Sequence, residues 1–197
     1  MEEKEVKELF RYLAWIDKEK EFNKITIENT ELKSNLDLQI KEAKKYRLRI
    51  NKYLYYFSLF NYLENNKIKI DLKYFAVYEK GVYLFYAKEL MSEAVHEILD
   101  KNYLYDDFEL SDEDKDLLEK ISFYFSDVND EELVDLNHDD PLWGNQWGYK
   151  IGISNEKDCY NKYAKTKDML PAFENIDINL RNYLKNFYEW TFREIKQ

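Results

Sequence analysis

The chain predicts a mainly α fold with a small β element, and three observations carry that expectation. Breakers are scarce, with only 4 Gly and 2 Pro among 197 residues. Lys, Glu and Leu are plentiful, which favours long helices over a turn-rich sandwich or barrel. Apolar residues recur at helical spacing along most of the chain, while period-two alternation is confined to one short stretch. The length suits one sizeable core, so a compact single domain over 1–197 is expected, with at most two or three short strands near 67–83.

A first helix is predicted from about Glu2 to Lys20, with Val6, Leu9, Phe10, Leu13 and Ile16 on one stripe. Phe22 to Thr30 reads as a polar connection. A second helical stretch covers about Glu31 to Glu64, striped by Leu36, Ile40, Ala43, Ile50, Leu54 and Phe57, with a bend or break at the polar gap Lys44 to Arg49. Tyr53, Tyr55, Tyr56, Leu59, Phe60 and Tyr62 make its second half apolar nearly all round, the mark of a buried central helix. Asn65-Asn66 stops it. Lys67 to Tyr74 alternates Ile68, Ile70 and Leu72 against Lys67, Lys69 and Asp71, a half-buried strand signal. Gly81 reads as a turn, and helix resumes from about Val82 or Tyr83 to Leu99.

The stretch Ser111 to Trp143 then predicts a helical hairpin, each helix opened by its own cap. Ser111 with Asp114, and Asn129 with Glu132, have the spacing at which a cap side chain and a third-position carboxylate satisfy orphan amides. Leu117, Leu118, Ile121 and Phe125 share a face, continued by Leu133, Leu136 and Trp143. Gly144, Gly148 and Gly152, with Trp147 and Tyr149, read as a loop pinned by aromatics. Ser154 is expected to cap a helix over about Asn155 to Lys165. After Pro171, Asp177 caps a last helix through Ile195, with Leu180, Leu184, Phe187 and Phe192 as core candidates.

The net charge of −10 is unevenly placed. From Asp106 to Asp140 there are fifteen carboxylates against two lysines, a balance of −13; from Ile40 to Lys80, ten Lys or Arg face four acids. The molecule is polarised, so an acidic docking surface for a basic partner is one reading and a solvated helix exterior the other. The overall sign opposes nucleic-acid binding. A lone cysteine, Cys159, precludes an internal disulfide and fits a reducing compartment. No apolar run reaches the 18 or more residues of a membrane span, and the charged start is unlike a signal peptide, so a cytoplasmic protein is expected.

Candidate chemistry is sparse. The two histidines are His96, inside a helical pattern, and His138, beside Asp139 and Asp140. That trio has metal-ligand side chains, yet no HExxH or CxxC spacing accompanies it, and a hydrogen-bonded structural histidine is the simpler reading. Cys159 has no evident His partner. Gly144, Gly148 and Gly152 lack the Gly-Lys-Ser/Thr ending of a phosphate loop. No cofactor and no catalytic group is assigned.

Three segments, in this order, resemble the Panacea domain, the SocA-like antitoxin family of bacterial and phage toxin–antitoxin pairs. RINKYLYYFSLF (Arg49 to Phe60) is similar to the family's LQKLLYFA helix, with Lys52, Leu54 and Tyr55 in matching places and Asn51 for Gln. FAVYEKGVY (Phe75 to Tyr83) is similar to its F-x-A-W/Y-x-x-GPV turn through Tyr78, Gly81 and Val82, but lacks the proline. ELVDLNHDDPLW (Glu132 to Trp143) is similar to its E-L-x-x-L-T/S-H-x-x-x-P-W signature, and Ile153-Ser154 matches the helix start that follows. The resemblance covers residues 1–165 and leaves 166–197 as a C-terminal helical extension.

The resemblance implies a helical, non-enzymatic domain that neutralises a protein toxin by direct binding, in at least one member with delivery to a protease. It marks Lys52, Tyr55, Tyr78, Gly81, His138 and Trp143 as candidate partner-binding residues. The expected device is a hydrophobic groove lined by Tyr and Trp where the three segments meet, rimmed by unlike charges. Two other readings stand beside it. One is an acidic inhibitor that mimics nucleic acid to block a basic protein. The other is a small metal-dependent hydrolase using His138 with Asp139.

Overall fold

The computed structural model describes residues 3–24, 36–78, 81–84, 88–100, 103–146 and 169–195, with backbone alone at 17–24, 36–47, 88, 99–100 and 189–195. The predicted connection over 25–30, the tail of the glycine stretch after Gln146, Cys159 and the helix over 155–165 lie outside the described residues. Mainly α with a small antiparallel sheet is the observed class. The elements are α1 (Glu3–Lys24), α2 (Leu36–Asn65), β1 (Phe75–Tyr78), β2 (Gly81–Leu84), α3 (Lys88–Asp100), α4 (Asp112–Tyr124), α5 (Asp130–His138) and α6 (Ile178–Ile195), with a helical turn at 141–146. No described helix is long and apolar enough to cross a membrane.

The chain groups into two compact units: 1–54 with 87–123, and 55–86 with 124–197. In the first, α1 packs on α3 through the predicted stripe of Leu9, Phe10, Leu13 and Ile16, with Met91, Ala94, Val95 and Ile98 buried on α3. Beside them Tyr12 and Trp15 pack against Tyr105 and Phe108 at centroid distances of 5.1–6.4 Å. Their polar atoms are partnered: Trp15 Nε1 donates to the Tyr103 carbonyl at 3.0 Å, and Tyr12 donates to Glu119 at 2.5 Å. Burial, then that carboxylate, pushes the Tyr12 phenol well up. The buried Lys115 ammonium reaches the Tyr105 carbonyl at 3.1 Å and lies 4.2 Å from its ring centroid, so its charge is paid for by a dipole and a π face.

Three sequence expectations are corrected. α2 runs unbroken through Lys44 to Arg49, because Lys, Arg and Leu sustain a helix without an apolar stripe. Lys67 to Tyr74 is not a strand: Asp71 accepts the Lys73 amide at 3.2 Å and turns Leu72–Tyr74 into a 3₁₀ helix, leaving Ile68 53% exposed. The sheet comes later, with Phe75 opposite Leu84, Ala76 opposite Tyr83, Val77 opposite Val82 and Tyr78 opposite Gly81. Val82 and Tyr83 therefore belong to β2, and the next helix starts at Lys88.

In the second unit every residue of α2 from Tyr55 to Leu63 is buried, as its all-round apolar sequence demands. Asn66 ends the helix at φ 53°, a left-handed stop that asparagine tolerates. Leu170, Ala172, Phe173, Ile176, Leu184 and Tyr188 add to the buried apolar residues of this unit. Leu170 donates to the Phe75 carbonyl at 2.8 Å, and Phe173 stacks on Tyr62 at 4.2 Å while its amide donates to Asp71 at 3.1 Å. Asp177 caps α6 as expected, accepting the Asn179 and Leu180 amides at 2.8 and 2.9 Å.

Candidate functional site

The second unit gathers its polar side chains at the turn after α5. This helix begins with the full reciprocal cap: Asn129 accepts the Glu131 and Glu132 amides at 3.0 Å each, and Glu132 accepts the Asn129 amide at 2.9 Å. The Ser111 cap of α4 is simpler, since Ser111 accepts the Asp114 amide at 3.2 Å and donates to the Asp114 carboxylate at 2.7 Å. α5 ends at His138, and Asp140-Pro141 starts the next helical turn in the favoured order of cap and proline.

Asp140 is buried, and four donors surround it. Its Oδ1 accepts the Leu142 and Trp143 amides at 2.7 and 3.4 Å, which is its capping role. Its Oδ2 accepts the Tyr55 hydroxyl at 2.7 Å and the Tyr188 hydroxyl. Burial raises the Asp140 carboxyl above the usual carboxylate range, against the pull of these hydrogen bonds. Burial and the same carboxylate push both phenols well above the ordinary tyrosine value, so both remain donors.

Asn137, fully buried, joins α5 to the β hairpin. Its Oδ1 accepts the Val82 amide at 2.5 Å, and its Nδ2 donates to the Tyr56 hydroxyl at 3.4 Å. Trp143 Nε1 donates to the Tyr78 carbonyl at 3.0 Å, and His138 stacks on the Trp143 ring at 4.2 Å with 26° between planes. Gly81 sits in β2 at φ 91°, a conformation that a side chain would strain.

The six residues singled out in the sequence are mostly interior. Tyr55 is 0% exposed, Lys52 2% and Trp143 8%, and Gly81 is buried; Tyr78 and His138 are half-buried. Five of them meet in the second unit, whereas Lys52 belongs to the first. Tyr55 packs on Tyr56 and Phe75 at 5.4 and 5.7 Å, and Tyr56 stacks on Phe125 at 5.0 Å. Among the described residues the rings of Tyr55, Tyr56 and Trp143 are thus buried in an aromatic core and do not line an open surface. The phenol and indole polar atoms find partners inside, which lets whole rings leave water.

Three central residues escaped the sequence reading: Asn137, Asp140 as a cap and tyrosine acceptor, and Tyr188. The Asp-Pro dipeptide carried a local signal for the cap. Nothing local could pair Asp140 with Tyr55 or Tyr188, which stand 85 and 48 positions away. The His138, Asp139 and Asp140 trio is not assembled as ligands, because Asp140 turns to the tyrosines and His138 to Trp143. Among the described residues no three His, Cys, Asp or Glu side chains gather as a metal site. His96 is exposed on α3, and Gly144 lies in the helical turn with open space around it instead of in a pinned loop.

Carboxylates dominate the solvent-facing sides of α4 and α5. On α4 the exposed residues include Asp112, Glu113, Asp116, Glu119 and Phe123, the last 72% exposed; on α5 they are Glu131, Glu132 and Asp135. Such faces can bind and orient a cationic partner, and they assemble no nucleophile with a base. Searches of protein-family models, curated proteins and solved structures found nothing that matches this chain.

Proposed function

We propose that this chain is an antitoxin-like binding protein that neutralises a cognate bacterial or phage toxin by direct contact. One observation carries the reading: the three segments that resemble the antitoxin family interlock. Tyr55 of the first donates to Asp140 of the third, and Trp143 of the third donates to Tyr78 of the second. These cross-links bring the three segments together in one unit, which supports reading them as parts of one binding domain. With the aromatic rings interior, the partner is assigned to the charged exterior, and the balance of −13 between Asp106 and Asp140 favours a basic one.

The test is genetic and then biochemical. A short reading frame abutting this one should encode a product that arrests growth alone, is rescued by co-expression and co-purifies with this chain. Survival of the arrest despite co-expression would refute the reading. A second reading, an acidic inhibitor that mimics nucleic acid, is favoured by the row Asp112, Glu113, Asp116 and Glu119 on α4. It predicts a partner that nucleic acid displaces competitively, whereas a toxin bound for its own shape would stay.

A further inference from the structure

The outward face of α4 carries an aromatic ring inside its carboxylate row. Asp112, Asp116, Glu119 and Phe123 are all exposed and follow one another at i, i+4, i+7 and i+11. A turn of 3.6 residues lines them up in a single stripe about 17 Å long. The opposite side of the helix is buried through Leu118, Ile121 and Ser122. The two lysines of α4 leave the stripe acidic. Lys115 is buried and lies 4.2 Å from the Tyr105 ring centroid. Lys120 meets Asp116 at 2.6 Å in an exposed pair, a contact weak enough for a competing cation to replace. The preceding loop continues the mixture, with Leu104 74% and Tyr105 40% exposed beside the exposed Asp106 and Asp107. On α5, by contrast, the exposed residues Glu131, Glu132 and Asp135 are all carboxylates.

Charge and ring together select the occupant. Like charge turns away anionic partners and a second copy of the same face. A surface that imitates phosphates has no use for a phenyl ring 72% exposed in the middle of its row. Arginine satisfies both features. Its planar fork binds a carboxylate through two hydrogen bonds, and the same plane lies flat on an aromatic face. Lysine, a compact and strongly hydrated charge, does neither as well. We propose that the stripe docks an arginine-bearing helix of a protein partner, with three guanidinium groups on Asp112, Asp116 and Glu119 and a fourth over the Phe123 ring. This rests on the reading of the chain as a binding protein with a basic partner, and it gives that partner a place and a chemistry. The steps of four, three and four residues read the same in both directions, so the partner helix fits either way along α4.

Chemical-shift titration of the full nitrogen-15-labelled chain at about 0.15 M salt tests this. The probe is a capped helical peptide of alanine and glutamine with arginines at i, i+4, i+7 and i+11. Shifts should fall on residues 104–123, and the peptide should bind at least about tenfold tighter than an isomer with its arginines spread around the helix. Asp116→Lys should weaken binding about tenfold, and Phe123→Ser about threefold. Both variants should melt close to wild type, since both side chains are exposed. Shifts centred on α5, an isomer that binds equally well, or a Phe123→Ser chain that binds like wild type each overturn the proposal. The co-expressed toxin separates this proposal from the antitoxin reading. Growth rescued equally by wild type and by the double variant Asp116→Lys, Phe123→Ser keeps the antitoxin reading and overturns the α4 stripe. A peptide bound along α4 by a chain that rescues no toxin does the reverse.

Discussion

Asp140 has exchanged water for two backbone amides and two phenols, and its removal takes a buried acceptor from each of them. Asp140→Ala should therefore cost about 3 kcal/mol or more, read by urea denaturation, since every orphaned buried group costs about 1–3 kcal/mol. Asp140→Asn keeps the volume and the capping oxygen, and should cost much less. The two also separate by pH. The folded-state value lies above the ordinary 3.8, so the native protein holds this proton where the unfolded chain releases it. The contribution of Asp140 is fully present below about 3.8 and is lost as pH rises through the elevated folded value. Stability of the wild type relative to Asp140→Asn should fall across that window and then level off. A difference that grows with pH instead would contradict the burial argument. At Trp143, replacement by phenylalanine deletes the 3.0 Å bond to the Tyr78 carbonyl while keeping most of the apolar volume, and should cost about 1–2 kcal/mol.

Elements depend on a few such residues. Asn137→Ala takes the Oδ1 acceptor from the buried Val82 amide, so hydrogen exchange at Val82 should accelerate beyond that of its neighbours, with a global cost of about 2 kcal/mol. Asn129→Ala should remove about 1 kcal/mol by deleting the start of α5. Legibility at this scale follows the range of the forces involved. Helix positions, stripes and the caps at Asn129 and Asp177 were readable because periodicity and capping act within a few residues. The strand was misplaced because Lys67 to Leu72 alternates faithfully, yet one aspartate at 71 outcompetes that pattern with a local turn. The small β element near 67–83 was expected, but its strands were not resolved as the two apolar runs FAVY and GVYL, which stand two residues apart with Gly81 opening the second. Tyr188 was unreadable, since Phe187 and Tyr188 are equivalent by composition and only the tertiary position of Asp140 distinguishes them.

For the whole molecule, charge is the property that sequence alone made plain, and its effect on stability can be measured directly. Self-repulsion at net charge −10 is screened as the Debye length falls from about 30 Å at 0.01 M salt to about 3 Å at 1 M. Calorimetry should show Tm rising between these limits. A fall would mean that the exposed pairs, such as Lys4 with Glu109 at 2.6 Å, outweigh the repulsion. The division of labour between aromatics and carboxylates was not legible. Abundant tyrosine suggested a binding groove, but a phenol can serve a core or a surface equally well, and only its hydrogen-bond partner decides.

The order of translation gives the Tyr188 contact one more consequence. A ribosome that has just added Asp140 must still add 48 residues before the second phenol exists. At about 5–20 residues per second that interval is roughly 2–10 s. During it the carboxylate has only its earlier donors, and the α2 surface that Tyr188 will cover remains open to water and to chaperones. The second unit thus waits for residue 188, and a chain cut short before it would hold Asp140 with one phenol donor fewer.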